Sequence, residues 1–278
     1  MNKIIAAFNG LRFSESTMEY AIYLAKQYNT HLTGVFLHES TTAGFAIYTS
    51  IVKQSASGSS IFDEIEKSDK IAINNAVEIF ESACSDAGLN YTIHRNRRNA
   101  TRELLNETAF ADLLVIDAME TFSYLEEDVP GWFIKNILHE SQCAVFVVPK
   151  QFYPIEQTML LYDGTPSSIF AIKMFNYILP GLGNLKTRVL YANNENYTHH
   201  VPHEKLMKEW MQNHYPNVTY KILNGHEKEI VALAAREGSG TLLVAGSYHR
   251  SNFSMLLHHS LADLLLSELK APVFVAHS

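Results

Sequence analysis

The length, composition and charge of this chain limit what it can be. Its 278 residues exceed the roughly 100–200 residues of one typical domain, so we expect two domains. An apolar fraction of 47% and a charged fraction of 18% are typical of a folded globular protein and argue against disorder. The net charge of −7 argues against a surface for nucleic acid or an anionic membrane, because both attract basic patches.

Cysteine usage and hydropathy indicate the compartment. The two cysteines, Cys84 and Cys143, form neither a CxxC pair nor a secreted disulfide framework, which favours a reduced cytosol. Residues 1–10 lack the long apolar region and cleavage site of a secretion signal. No stretch approaches the roughly 20 apolar residues that a membrane-spanning helix needs. We therefore expect a soluble cytoplasmic protein.

The first half of the chain alternates short apolar runs with amphipathic segments. Residues 3–8 predict a buried strand that ends at the turn Asn9-Gly10, and Ser14 is a candidate N-cap for the next helix. Further strands are predicted at residues 31–37, 91–94, 113–116 and 144–148, and further helices at residues 61–87, 100–107 and 132–139. A stretch rich in Ser, Thr and Gly, residues 40–60, follows the second strand.

The second half repeats this order. Its first strand ends at the turn Asp163-Gly164, where Thr165 and Pro166 predict the start of a helix. The strands are predicted at residues 159–162, 187–191, 218–223, 242–245 and 272–276, and the later helices at residues 204–214, 227–236 and 255–266. Strands separated by helices of this length require right-handed crossovers, which build a parallel sheet.

The two halves also match in residues. Leu-Leu-Val-Ile-Asp at residues 113–117 parallels Leu-Leu-Val-Ala-Gly at residues 242–246, and residues 144–148 parallel residues 272–276. The distance between equivalents falls from 154 residues at the start to 128–129 at the end, which predicts an insertion in the first half near residues 40–60. We expect two copies of one domain, at residues 1–150 and 151–278.

Several features together resemble the universal stress protein family. They are a first strand ending in Asp-Gly, the Leu-Leu-Val-Ala-Gly strand, and a last helix running into Ala-Pro-Val-Phe-Val at residues 271–275. The resemblance implies an α/β fold of two tandem doubly wound domains, each a five-stranded parallel sheet in the order 3-2-1-4-5 with helices on both faces. It also implies an intrachain pseudo-dimer in which residues 144–148 pair with residues 272–276, because the family dimerises through its fifth strand.

In such a sheet ligands bind at the switch point, the carboxyl ends of strands 1 and 4. Family members that bind ATP carry Gly-x2-Gly-x9-Gly-(Ser/Thr) after strand 4 and an aspartate after strand 1. Glycines let the backbone approach phosphate, and the following helix start offers free N–H groups. In the second half Asp163, Gly246 and Ser260 keep this pattern, whereas His249 and His259 replace two glycines. The resemblance implies a weak adenine-nucleotide site there, with ATP as the candidate cofactor.

The first half departs further from the pattern. Asn9 replaces the aspartate, Asp117 and Glu120 stand where a triphosphate would lie, and Trp132 replaces the small hydroxyl residue. Like charges near 4 Å repel by about 4 kcal/mol at an effective dielectric constant of roughly 20. We therefore expect no ATP binding in the first half. Asp117 and Glu120 are expected to be solvated loop acids and not a catalytic pair.

The 13 histidines suggest a metal-binding alternative. They include two groups, one at His199, His200 and His203 and the other at His249, His258 and His259. Their spacing fixes no ligand geometry, so exposed or helix-end imidazoles are the favoured interpretation. The chain carries no Walker, Rossmann, zinc-protease or nucleophile-elbow motif.

The sequence favours a stress-response protein that acts by binding an unidentified protein partner, without catalysis. An ATP-binding sensor or hydrolase working at the second switch point is the main alternative, and a histidine-based metal-binding module is the other. The sequence leaves open which ligand is bound and whether the chain forms a further homodimer.

Overall fold

The apolar runs of the sequence form strands, and the amphipathic segments between them form helices that cover the sheet. The computed structural model describes residues 1–38, 58–96, 99–122, 130–193, 200–224, 227–246 and 271–276. The predicted helix at residues 255–266 and most of the predicted insertion at residues 40–60 lie outside these ranges.

The first half contains five strands and four described helices. Its strands are β1 (Lys3–Asn9), β2 (His31–Leu37), β3 (Tyr91–Asn96), β4 (Leu113–Asp117) and β5 (Ala144–Val148). Its helices are α1 (Glu15–Tyr28), α2 (Gly58–Asp86), α3 (Ala100–Thr108) and α4 (Trp132–Glu140).

The second half repeats the alternation of strands and helices. Its strands are β6 (Gln157–Tyr162), β7 (Lys186–Asn193), β8 (Val218–Asn224), β9 (Thr241–Gly246) and β10 (Val273–Ala276). Its described helices are α5 (Pro166–Ile178), a 3-10 helix (Pro180–Asn184), α6 (Glu204–His214) and α7 (Glu227–Glu237).

The strands form one ten-stranded sheet in the order β3-β2-β1-β4-β5-β10-β9-β6-β7-β8. The first half thus has the predicted order 3-2-1-4-5. Counted from the opposite edge, the second half runs β8-β7-β6-β9-β10. Among the described strands every pairing is parallel except that of β5 with β10, which is antiparallel and sets Phe146 opposite Phe274.

Alternation along the strands divides the buried apolar side chains between the two faces of the sheet. Ile4, Ala6 and Phe8 of β1 pack in one core with α1, α2, α5 and α6, whereas Ile5 and Ala7 pack in the other with α3, α4 and α7. Each core contains residues of both halves. No helix in the described part of the chain is long and apolar enough to cross a membrane.

The starts of α1 and α5 lie beside the two switch points, and both helices begin where the sequence predicts. Ser14 Oγ accepts a hydrogen bond from the N–H of Thr17 at 3.2 Å. Thr165 Oγ1 accepts one from the N–H of Ser168 at 3.3 Å, with Pro166 at the first helical position. These caps fix where each helix leaves the end of its strand.

Candidate functional site

The first switch point, at the carboxyl ends of β1 and β4, is tied together by Asn9. The main-chain N–H of Asn9 donates to Oε2 of Glu120 at 3.3 Å, and its Nδ2 donates to the carbonyl oxygen of Thr121 at 3.0 Å. Its Oδ1 accepts from the N–H of Leu11 at 3.0 Å. The end of β1 is thus bonded to the segment that follows β4.

Asp117, the last residue of β4, is bonded to the start of α1. Its Oδ2 accepts from Oγ of Ser14 at 2.6 Å, and its Oδ1 accepts from the N–H of Met119 at 2.8 Å. A carboxylate beside a helix N-terminus is also favoured by the helix dipole. Asp117 therefore has partners within the chain for both of its oxygens.

Glu120 is the less exposed of the two carboxyl groups at this switch point, with 5% of its surface accessible. Burial raises the pKa of its carboxyl to about 8; the Asn9 N–H bond opposes this shift, and the charge of Asp117 adds to it. The prediction that Asp117 and Glu120 are solvated loop acids is therefore wrong. Ser14 and Met119 donate to the oxygens of Asp117 in place of water. The N–H of Asn9 does the same for Glu120.

The other first-half position in the family pattern lies at the start of α4. Gly131 is the N-cap in an extended conformation and makes no side-chain capping bond, and α4 begins at Trp132. Trp132 is 65% exposed. Its indole therefore stands largely in solvent, at the position where the resemblance implies a small hydroxyl residue in a nucleotide-binding site.

The second switch point, at the carboxyl ends of β6 and β9, is more exposed to solvent than the first. Asp163 and Gly246 are both partly exposed, whereas their counterparts Asn9 and Asp117 are buried. Oδ1 of Asp163 accepts from the N–H of Thr165 at 2.8 Å and from its Oγ1 at 2.7 Å. The carboxylate therefore stabilises the turn that leads into α5.

Glycines at this switch point allow close packing. Gly164 has a φ of +84°, and a Cβ there would lie 2.7 Å from Cβ of Pro202. A Cβ on Gly246 would lie 2.9 Å from the carbonyl carbon and oxygen of Ser167 in α5. The sequence predicts that Gly246 lets a phosphate approach; the structure adds that β9 needs this glycine to pass the start of α5.

Of the five residues predicted for the nucleotide site, the structure describes Asp163 and Gly246. They lie close together at the carboxyl ends of β6 and β9, because these two parallel strands are paired neighbours. His249, His259 and Ser260 lie outside the described residues.

Comparison with known proteins identifies the fold. No family model matches the chain, and no curated protein does. A universal stress protein structure from Archaeoglobus fulgidus DSM 4304 matches 99% of this chain and 96% of its own, with a TM-score of 0.69 and 13% identity. A putative universal stress protein from Pseudomonas aeruginosa UCBPP-PA14 matches 100% of this chain and 93% of its own, with a TM-score of 0.56 and 12% identity. The chain has the fold of the universal stress proteins.

A third structure agrees with this result. A protein of unknown function from Pseudomonas aeruginosa PAO1 matches 100% of this chain and 92% of its own, with a TM-score of 0.57 and 12% identity. These matches extend over both halves of the chain and not over one half alone. Identities of 12–13% make the similarity one of fold.

The histidines of the second half lie at helix ends in the part that the structure describes. His200 is 79% exposed in its side chain, and its Nδ1 lies 2.8 Å from Oε2 of Glu204. His203 is the N-cap of α6 with a φ of 52°. Within the described ranges, no group of three or more His, Cys, Asp or Glu side chains could hold a metal ion. His199, His249, His258 and His259 lie outside those ranges.

The structure also contains a cavity that the sequence does not predict. It has a volume of about 560 Å³ and lies between α5 and α6, on one face of this universal stress protein fold. Its lining residues are Tyr162, Ile169, Ile172, Lys173, His203, Leu206, Met207, Glu209, Trp210 and Asn213. A helical apolar spacing is common to core positions and cavity walls alike, so the sequence carried no signal that separates the two.

Proposed function

We propose that this chain is a tandem universal stress protein, with domains at residues 1–150 and 151–278, that acts in the cytoplasm by binding. The fold, the repeated strand order and the pairing of β5 with β10 support the tandem arrangement. The absence of a nucleophile or metalloenzyme motif from the sequence supports binding over catalysis.

We further propose that adenine nucleotide binds weakly, and in the second domain alone. The observation that carries this proposal is the burial of Glu120 at the first switch point, where it accepts a hydrogen bond from the main chain of Asn9. A triphosphate there would displace a buried carboxyl group and meet the charge of Asp117. The second switch point offers Asp163 and Gly246 instead, both partly exposed.

The side chain of Asp163 stabilises a turn, which dictates how the proposal is tested. Asp163→Ala removes both the charge and the acceptor of the Thr165 bonds. Asp163→Asn removes the charge but keeps an oxygen that can accept those bonds. A comparison of the two variants separates loss of a ligand contact from loss of the turn.

Calorimetric titration of ATP into the full chain should give a Kd at or above roughly 0.1 mM, about −5.5 kcal/mol. Asp163→Ala should abolish the heat of binding, and Asp163→Asn should weaken binding while leaving the melting temperature near that of the wild type. Trp132→Ser is the matched control in the first half. It restores a small hydroxyl residue there and should neither create nor remove binding.

Two outcomes would contradict this proposal. Micromolar binding that survives Asp163→Ala but disappears on changing Asn9 or Gly131 would assign the nucleotide to the first domain. Release of inorganic phosphate from bound ATP, lost in Asp163→Ala, would favour the alternative of a hydrolase.

A further inference from the structure

The cavity between α5 and α6 is large enough for a small molecule. Its volume of about 560 Å³ falls in the range of roughly 300–1,000 Å³ that is usual for ligand pockets. It lies along the two helices on the face of the sheet, whereas Asp163 and Gly246 lie at the ends of the strands. Of the proposed nucleotide contacts that the structure describes, neither Asp163 nor Gly246 lines the cavity, although Tyr162, which precedes Asp163, does.

The helix that covers this face is much shorter in the second half than in the first. After β2, α2 has 29 residues, and its Phe80 packs against the rings of Phe8 and Phe36. After β7, α6 has 11 residues and buries Met207 and Met211. The cavity lies beside this shorter helix, whose Met207 and Trp210 form part of its wall.

The walls of the cavity are mostly apolar. Ile169 and Ile172 come from α5, and Met207 and Trp210 come from α6. Leu206, which also lines the cavity, is 67% exposed. Ile172 and Met207 are already buried, whereas Ile169 and Trp210 are partly exposed. An apolar molecule in the cavity would therefore remove mainly Leu206, Ile169 and Trp210 from water, which is favourable in proportion to the apolar area buried.

The polar lining restricts the charge of the occupant. Lys173 lines the cavity from α5 and has no ion-pair partner within the described residues, whereas Tyr162 uses its hydroxyl to donate to the carbonyl oxygen of Pro202 at 2.9 Å. Lys173 can therefore meet an anionic group. Glu209 lines the same cavity and repels negative charge, which favours one carboxylate over a polyphosphate.

From this lining we propose that the cavity between α5 and α6 binds a small aliphatic monocarboxylate. Its alkyl chain lies against Ile169, Ile172, Met207 and Trp210, and its carboxylate meets the ammonium group of Lys173. The site stands independently of nucleotide binding at the second switch point.

Tryptophan emission provides a direct test, because the chain has two tryptophans and one of them lines the cavity. Trp132→Phe removes the exposed tryptophan of the first half and leaves Trp210 as the reporter. Titration with decanoate as the probe should shift the emission wavelength of Trp210, and the shift should saturate as the decanoate concentration rises. Decan-1-ol, which lacks the charge, should bind more weakly.

Substitution of Lys173 tests how the head group is recognised. In the Trp132→Phe background, Lys173→Met should weaken decanoate binding about tenfold and leave decan-1-ol binding unchanged. Lys205→Met is the matched control, because Lys205 lies on α6 outside the lining of the cavity and should leave both affinities unchanged.

Three results would overturn the proposal. The first is the absence of a saturable change in Trp210 emission at millimolar decanoate. The second is an equal effect of Lys173→Met on decanoate and decan-1-ol, which would show that Lys173 does not recognise the carboxylate. The third is competitive displacement of decanoate by ATP, which would make the cavity part of the nucleotide site.

Discussion

At the scale of single residues, Glu120 stands out as a buried carboxyl group with a raised pKa. Its carboxyl group is buried and accepts a hydrogen bond from the main chain of Asn9, a residue 111 positions earlier in the chain. Burial raises its pKa to about 8, so near neutral pH the folded state binds a proton that the unfolded state releases. The first switch point is therefore closed by a carboxyl group that is largely neutral.

This raised pKa makes stability depend on pH with a definite sign. The stabilisation by neutral Glu120 is fully present below the unfolded pKa near 4.5 and is lost as pH rises through the folded pKa of about 8. Glu120→Gln keeps a neutral acceptor at every pH. Its free energy of unfolding relative to the wild type should therefore rise between pH 5 and pH 9, by a few kcal/mol.

Urea unfolding of both proteins at several pH values measures this difference. Glu78→Gln, at an exposed site on α2, is the matched control and should show no such trend. A constant difference between Glu120→Gln and the wild type across this range would show that Glu120 ionises as a solvated carboxyl does.

At the scale of elements, the sequence predicts the strands and most described helices to within a few residues. Apolar runs bounded by Asn-Gly and Asp-Gly turns are strong local signals, and Ser14 and Thr165 cap helices as predicted. The burial of Glu120 could not be predicted, because it depends on a bond between residues far apart in the chain. The same holds for the cavity, which depends on the packing of α6 against α5.

Gly246 has a structural role in the contact between β9 and the start of α5, in addition to the ligand role that the sequence motif suggests. The sequence assigns this glycine to a phosphate contact, yet a Cβ there would lie 2.9 Å from main-chain atoms of Ser167. Main-chain atoms at a helix start cannot move aside as a side chain can. Gly246 therefore sets the distance between β9 and α5 whether or not a ligand is present.

Gly246→Ala should accordingly destabilise the protein by about 1–3 kcal/mol in the absence of nucleotide, as is usual for overpacking. Thermal or urea unfolding without ligand measures the change. The control is Gly181→Ala, where a Cβ would lie 3.2 Å from the side-chain amide nitrogen of Gln27, which can move. If Gly246→Ala unfolds like the wild type and loses only ATP binding, the glycine serves the ligand alone.

At the scale of the whole molecule, the two halves share one sheet and two cores. Pairing of β5 with β10 covers an edge of each half, which removes two sites at which other strands could add. Tyr20 of α1 adds a contact near the junction, since its hydroxyl accepts from the N–H of Tyr153 at 3.2 Å. The two halves therefore have the same strand order within one sheet but differ in the residues at their switch points.

The proposed binding of nucleotide at the second switch point alone follows from this difference, because the buried carboxyl groups of Glu120 and Asp117 occupy the first. Photolabelling of the full chain with 8-azido-ATP, followed by peptide mass spectrometry, tests it most directly. We predict label only on peptides from residues 151–278, reduced by excess ATP and by Asp163→Ala. Label that excess ATP removes from peptides containing Asn9, Asp117 or Glu120 would contradict the claim.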